Sequence, residues 1–199
     1  MNNYLIVSFY TTNYKKIAEK FLLKSLKQQI LPHYIKEVPE QGSWKKNTDF
    51  KAVFINQCLN QFSQNLVFID ADATINSDPI LFKELSNNKD IDFAYHNLSW
   101  EAHYGRNGDK GKFEFLSGTL YLANNDKVKA LVAEWIRNTK IHCPEQRALQ
   151  IAMKEFDLNC YELPREYCYI TDTPRGKAPA QPLFKPIISH FQASRGRKG

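Results

Sequence analysis

Apolar and polar positions divide the first third of the chain into regular elements. Tyr4 to Phe9 (YLIVSF) is a dense run of β-branched and aromatic residues, which predicts a strand. The polar YTTNY follows, and then Ile17, Phe21, Leu22, Leu26 and Ile30 fall at helical spacing until Pro32 ends the pattern. HYIKEV (33–38) reads as a second strand and PEQGSWKKN as a turn-rich connector. Asn47 or Thr48 is expected to cap a helix that carries Phe50, Phe54, Cys58 and Phe62. That helix feeds a third strand, NLVFID. Strands alternating with helices predict an α/β sheet, parallel in this half, with a nucleotide-type site at the carboxyl ends of its strands.

Beyond the third strand, NSDPILFKEL reads as a loop entering a short helix near Pro79. IDFAYH (91–96) is strand-like, and 97–112 is expected to be a long polar loop, either a lid or a binding loop, that mixes Trp100, His103, Tyr104, Arg106 and Lys110. FEFLSGTLYLA (113–123) predicts a strand with Gly118 inside it, which suggests a bulge or a close ligand approach. Val128, Leu131, Val132 and Trp135 mark one helix; Pro144 at its first position and Glu145 in its first turn mark another. The remainder holds short strands, NCYEL, EYCYIT and KPIISHF, separated by prolines. No repeat or linker interrupts the chain.

Hydrophobic residues are 43% of the 199, and charged residues 24%, which is globular rather than disordered composition. No apolar run spans a bilayer, and MNNYLIVSFY reads as a first strand, not a signal peptide. Cys58, Cys143, Cys160 and Cys168 are scattered without metal-site spacing, so reduced thiols and a cytoplasmic location are expected. The net charge of +6 points to anionic partners. Arg195, Arg197 and Lys198 concentrate in a basic tail, 193–199.

NLVFIDADATI holds the chemistry. Asp70 and Asp72 follow four apolar residues, and two carboxylates at the end of a buried strand need a compensating cation. A hard divalent metal, Mn²⁺ or Mg²⁺, satisfies them together with phosphate oxygens. Two enzyme classes use this pattern. D-x-D-x-T after an apolar strand is similar to the first motif of haloacid-dehalogenase phosphatases, where Asp70 would be the nucleophile. That class also needs a later acidic pair, which the sequence lacks, and places the motif on its first strand.

Across most of its length the chain resembles the GT-A nucleotide-sugar glycosyltransferases. The resemblance rests on the opening strand with SFYTTNY, NTDFKAVFINQCLNQF feeding NLVFIDADATINSDP, FLSGTLYLANND before the Trp135 helix, PEQRAL, and IISH. It implies a single Rossmann-like catalytic domain over 1–192, with a mixed sheet flanked by helices. It also implies a metal held by Asp70, Asp72 and His190, bridging the phosphates of a UDP-sugar or similar donor. Phe9, Tyr10, Thr11 and Thr12 would hold base and ribose, with Asp70, Ala71 and Lys51 beside the nucleotide. Ser117 and Gly118 would line the sugar pocket. Glu145 and Gln146 would contact sugar hydroxyls, and Glu145 would act as base if the reaction inverts. Arg195 or Lys198 would clamp the phosphate.

Most of these residues also have plain structural readings. Thr11 and Thr12 could cap or turn, Lys51 could be an exposed lysine, Glu145 an acid against a helix N-terminus, and His190 a strand end. The acceptor is a hydroxyl on a glycan or, given the basic balance, on modified bases in DNA. A non-enzymatic basic nucleic-acid-binding protein is the alternative outside enzymology.

Overall fold

The computed structural model describes residues 3–104, 110–141, 144–171 and 184–191. Strand β1 (Tyr4–Thr11) pairs in parallel with β2 (His33–Val38) on one side and with β3 (Asn65–Ile69) on the other. Parallel neighbours require crossovers, and helices supply them. Helix α1 runs through Lys15–Ala18, a π turn at Glu19–Leu23 and Lys24–Gln29; α2 is Trp44–Gln61.

After β3 come the short strand β4 (Ala73–Ile75), helix α3 (Ile80–Asn87), β5 (Phe93–Ser99), helix α4 (Trp100–Tyr104) and β6 (Phe113–Leu122). Helices α5 (Asp126–Thr139) and α6 (Glu145–Ala152) follow, then β7 (Cys160–Glu162), β8 (Tyr169–Ile170) and β9 (Ile188–His190). The main sheet has the order β2-β1-β3-β6-β5-β7, with β6 antiparallel to both β3 and β5. The sheet is therefore mixed, as expected.

β3 explains the layering. Leu66 and Phe68 join Phe54, Leu59, Val132 and Trp135 from the helices on one face. Val67 and Ile69 join Leu22, Leu26, Phe82 and Leu85 from those on the other. A strand covered on both faces reads as an unbroken apolar run, because successive side chains point to opposite layers.

Three local expectations need correction. Ile30 does not continue the buried stripe of α1: it takes the left-handed conformation (φ 52°) and is 89% exposed. The chain must turn there before Pro32, and the turn carries the side chain away from the core. The cap of α2 is Ser43, whose hydroxyl accepts the Lys46 N–H at 3.2 Å. Asn47 instead accepts the Gln41 N–H (2.7 Å) and donates to Glu40, bracing the connector from within the first turn. Pro144 sits just before α6, one position ahead of its expected place.

The loop expected over 97–112 is partly regular. Residues 97–99 extend β5 and Trp100 begins α4, its indole N–H donating to Glu114 at 3.2 Å. Arg106 lies outside the described residues, as do Cys143, Arg195 and Lys198. Among the described residues Cys58, Cys160 and Cys168 are free thiols, and no helix is long and apolar enough to cross a membrane.

Candidate functional site

The parallel strands β1 and β3 run side by side, and the chain connections after them diverge toward opposite edges of the sheet, which opens a crevice at their carboxyl ends. Asp70 is the first residue past β3. Its N–H donates to the Gly118 carbonyl at 2.8 Å, and its own carbonyl accepts the Ala73 N–H at 3.0 Å. The aspartate pair therefore sits on a tight turn tied to β6. Ser117 and Gly118 occupy a bulge in that strand, where the register against β5 jumps from Ala94–Tyr121 to His96–Leu116.

A second sheet brings in the late histidine. β4, which begins immediately after Asp72, pairs antiparallel with β9 so that Ala73 faces His190. The Phe191 N–H adds a hydrogen bond to the Asp72 carbonyl at 3.2 Å. One ligating atom each from Asp70, Asp72 and His190 then lies within 4.8 Å of the others. Gly118 is the floor of this group. A Cβ there would stand 2.9 Å from His190 Cε1, 3.0 Å from Nδ1 and 3.1 Å from Asp70 Oδ2.

The donor set suits a hard or borderline divalent cation. Burial pushes the pKa of His190 down to about 4, against the opposing pull of Asp70, so the imidazole is neutral at neutral pH. Nε2 is 2.8 Å from the Thr119 hydroxyl. With Nε2–H donating to that hydroxyl, Nδ1 keeps its lone pair for a cation, as a ligating histidine held from its far side requires.

Beneath the carboxylates lies a buried charge network. Lys51 of α2 reaches Asp70 Oδ1 at 3.0 Å and Glu145 Oε1 at 3.4 Å, and donates to the Ser117 carbonyl at 3.2 Å. Burial disfavours its charge, but Asp70 and Glu145 together outweigh burial and hold its pKa above that of an ordinary lysine. Burial raises the pKa of Glu145 above the usual carboxylate range, with Lys51 pulling the other way. The Ser117 hydroxyl donates to Glu145 Oε2 at 3.2 Å, and the Trp135 indole holds the Glu145 carbonyl at 3.0 Å. Glu145 is thus anchored at both ends, and the exposed-lysine alternative for Lys51 is overturned.

These groups open on a cleft of about 620 Å³. Phe9, Tyr10, Thr11, Lys51, Asp70, Ala71, Asp72, Ser117, Gly118, Glu145, Gln146 and His190 all line it. Thr12 does not: its exposed hydroxyl donates to Glu37 at 3.2 Å instead. Phe9 packs its ring among Phe50, Phe54 and Phe68, so it shapes the wall from the core side. Tyr14, Trp44, Asn47, Thr48 and Cys168 also line the cleft and were not among the sequence candidates. An aromatic at the start of a turn-capped helix was the one available signal, for Trp44.

No protein-family model matches the sequence, and no curated protein matches it either. Solved structures do. A glycosyltransferase involved in glycosylation of the major capsid of PBCV-1 superposes with a TM-score of 0.64 at 13% identity, over 98% of this chain and 95% of that one. Mouse xyloside xylosyltransferase 1 gives 0.59 at 12%, over 96% and 98%. The galactosyltransferase LgtC, solved with donor and acceptor sugar analogs, gives 0.54 at 11%, over 96% and 87%. The chain has the GT-A fold. Within the GT-A fold, the acidic turn after β3, the bulged β6 and the returning β9 converge on one crevice, so the polar residues gathered there have a common frame.

Proposed function

We propose that the protein is a metal-dependent glycosyltransferase that moves a sugar from a nucleoside-diphosphate donor to a hydroxyl acceptor. The observation that carries this reading is the grouping of Asp70, Asp72 and His190 around Gly118, at the bottom of a cleft on the strand ends. A GT-A fold supplies the wider context. Asp70, Asp72 and His190 would hold Mn²⁺ or Mg²⁺, which when bound supplies Lewis-acid stabilisation of charge on the leaving diphosphate.

The chain's own residues divide the remaining work. Tyr10 and Thr11, the last two residues of β1, line the cleft and would contact base and ribose. The missing side chain at Gly118 leaves open the space beside His190 and Asp70 in which they would hold the cation. Lys51 places one positive charge between Asp70 and Glu145, which offsets part of their repulsion of an incoming diphosphate. Gln146, half-buried at the cleft wall, accepts the Ser117 N–H at 3.4 Å and keeps its amide group for sugar hydroxyls. Glu145 has Oε1 on Lys51 and Oε2 on Ser117. Service as a general base in an inverting reaction would require one of these contacts to be released; in a retaining reaction the leaving phosphate takes the proton and Glu145 remains an anchor.

The phosphatase alternative gains nothing from this geometry. The third group beside the aspartates is a histidine, not a second acidic pair. The experiment that tests the proposal is turnover of UDP-sugars with Mn²⁺ by the wild type and by Asp72→Asn. The expected result is loss of donor hydrolysis and transfer by at least about 100-fold, with unchanged circular dichroism, since one oxyanion or metal contact is commonly worth this much. Undiminished turnover in the variant overturns the metal assignment.

A further inference from the structure

A second cleft, of about 540 Å³, lies against the first. The two are divided by a thin apolar wall in which Leu98, Leu116, Cys168 and Ile170 pack together. Leu116 and Ile170 face the acidic cleft, Leu98 faces the second, and Cys168 faces both. None of the residues assigned to donor, metal or base lines the second cleft.

Its lining has a definite chemistry. Phe113, Tyr169 and Phe184 present aromatic surface, and Phe113 is 61% exposed. Tyr169 meets the Phe184 ring edge-on at 5.6 Å, which gives a rigid corner rather than loose side chains. Among the described residues, the charged side chains of the lining are one of each sign, Arg165 and Glu162. Arg165 lies over the Phe184 ring at 4.1 Å, so part of its charge is already directed at a π face.

Resting on the glycosyl-transfer reading, we infer that this cleft binds a neutral saccharide unit of the acceptor, remote from the hydroxyl that reacts. A pyranose ring has one or two faces made of C–H groups and a rim of hydroxyls, which matches flat aromatic surface bordered by one carboxylate and one guanidinium. A nucleic acid matches less well: its affinity depends on neutralising many phosphates, and the charges of the described lining residues cancel. The two clefts lie on either side of the apolar wall and share Cys168, so a glycan seated in the second cleft would present its next unit to the donor across the rim of the wall. In the transfer step the acceptor oxygen bonds to the anomeric carbon and the bond from that carbon to the phosphate oxygen breaks. The nucleoside diphosphate leaves with the electron pair, and the hydroxyl proton leaves with the departing phosphate or to a base. Binding energy gathered at a remote unit of this kind is available to orient the reacting one.

The test separates this inference from the donor reading. Saturation-transfer NMR of the full chain with a panel of neutral methyl glycosides and disaccharides requires no turnover. Signal from at least one saccharide is expected, weakened about tenfold or more in Tyr169→Ala and in Phe113→Ala. Donor hydrolysis by the same variants is expected to stay within about twofold of wild type, since neither residue lines the donor cleft. Phe113 is exposed, so its variant remains folded and keeps the test valid should Tyr169→Ala be unstable. No signal from any neutral saccharide overturns the inference, as does binding unchanged in both variants. Binding of a hydroxymethylated DNA duplex that both substitutions weaken overturns it in favour of a polyanion. Absence of donor hydrolysis in the wild type counts against the donor reading alone.

Discussion

Gly118→Ala puts the candidate metal site under the most direct test, because one methyl group enters the ligand set without touching any ligand's chemistry. Gly118 is not in the left-handed region, which among the described glycines belongs to Gly42 and Gly111, so alanine meets no backbone penalty there. The conflict is steric. The new Cβ would lie 2.9 Å from His190 Cε1 and 3.1 Å from Asp70 Oδ2, where nonbonded carbons prefer about 3.5–4.0 Å. His190 is buried, and its ring is held by Thr119 on the far side, so relief must come from a shift of His190, Asp70 or the strand itself. Overpacking of this kind costs about 1–3 kcal/mol of stability. Its larger effect falls on the ligand set, where displaced support groups lower metal affinity by about 10–100-fold.

Thermal unfolding in the presence of Mn²⁺ and UDP reads this directly. Ligand at 100 times its dissociation constant stabilises the native state by about 2.7 kcal/mol, and a 100-fold weaker complex at the same concentration by only about 0.4 kcal/mol. For a chain of this size about 1 kcal/mol moves Tm by about 2–4 °C. Over the 10–100-fold range, the ligand-induced shift of the variant is therefore expected to fall short of wild type by about 3–9 °C, measured against each protein's own ligand-free baseline. A ligand-induced shift equal to that of wild type would refute the placement of the metal beside Gly118.

Lys51→Met leaves Glu145 buried without its cation, and the expected cost is about 3–5 kcal/mol in urea unfolding. Adding Glu145→Gln should restore a large part of that loss, because the uncompensated charge is gone; a double variant no more stable than the single one contradicts the network as described. On the alkaline side, burial raises the phenol of Tyr121 from 10 to about 12. A folded pKa raised above its unfolded value contributes stability that is complete below about pH 10 and lost as pH rises through about 12. Urea midpoints taken from pH 8 to 11.5 should fall, and Tyr121→Phe should flatten the decline; an unchanged slope in the variant rules out this residue as a source.

The main sheet and the first candidate ligands were legible in the sequence for a local reason. β1 and β3 are dense apolar runs because helices cover both their faces, and the two aspartates follow β3 directly. Helix α5 was legible because Val128, Leu131, Val132 and Trp135 fall on one buried face. Position and type of element were therefore set by side chains close together in the chain.

What tertiary structure decided is everything joined across long sequence gaps. β4 is three residues long, too short to leave a periodicity, yet its pairing with β9 is what sets His190 beside Asp72. The sequence offered Lys51 either as a nucleotide contact or as an exposed helix lysine, and only the packing of α2 against α6 buries it between Asp70 and Glu145. Thr12 follows three residues that line the cleft, but the turn after β1 directs it to Glu37. The second cleft draws on β5, β6 and the segment around Tyr169, which share no pattern in sequence. Hydrophobic periodicity reports which face of an element is buried and carries no information about which distant element buries it. The acidic pair could be found from eleven residues; its partner, its counter-charge and the shape of the space above it required the fold.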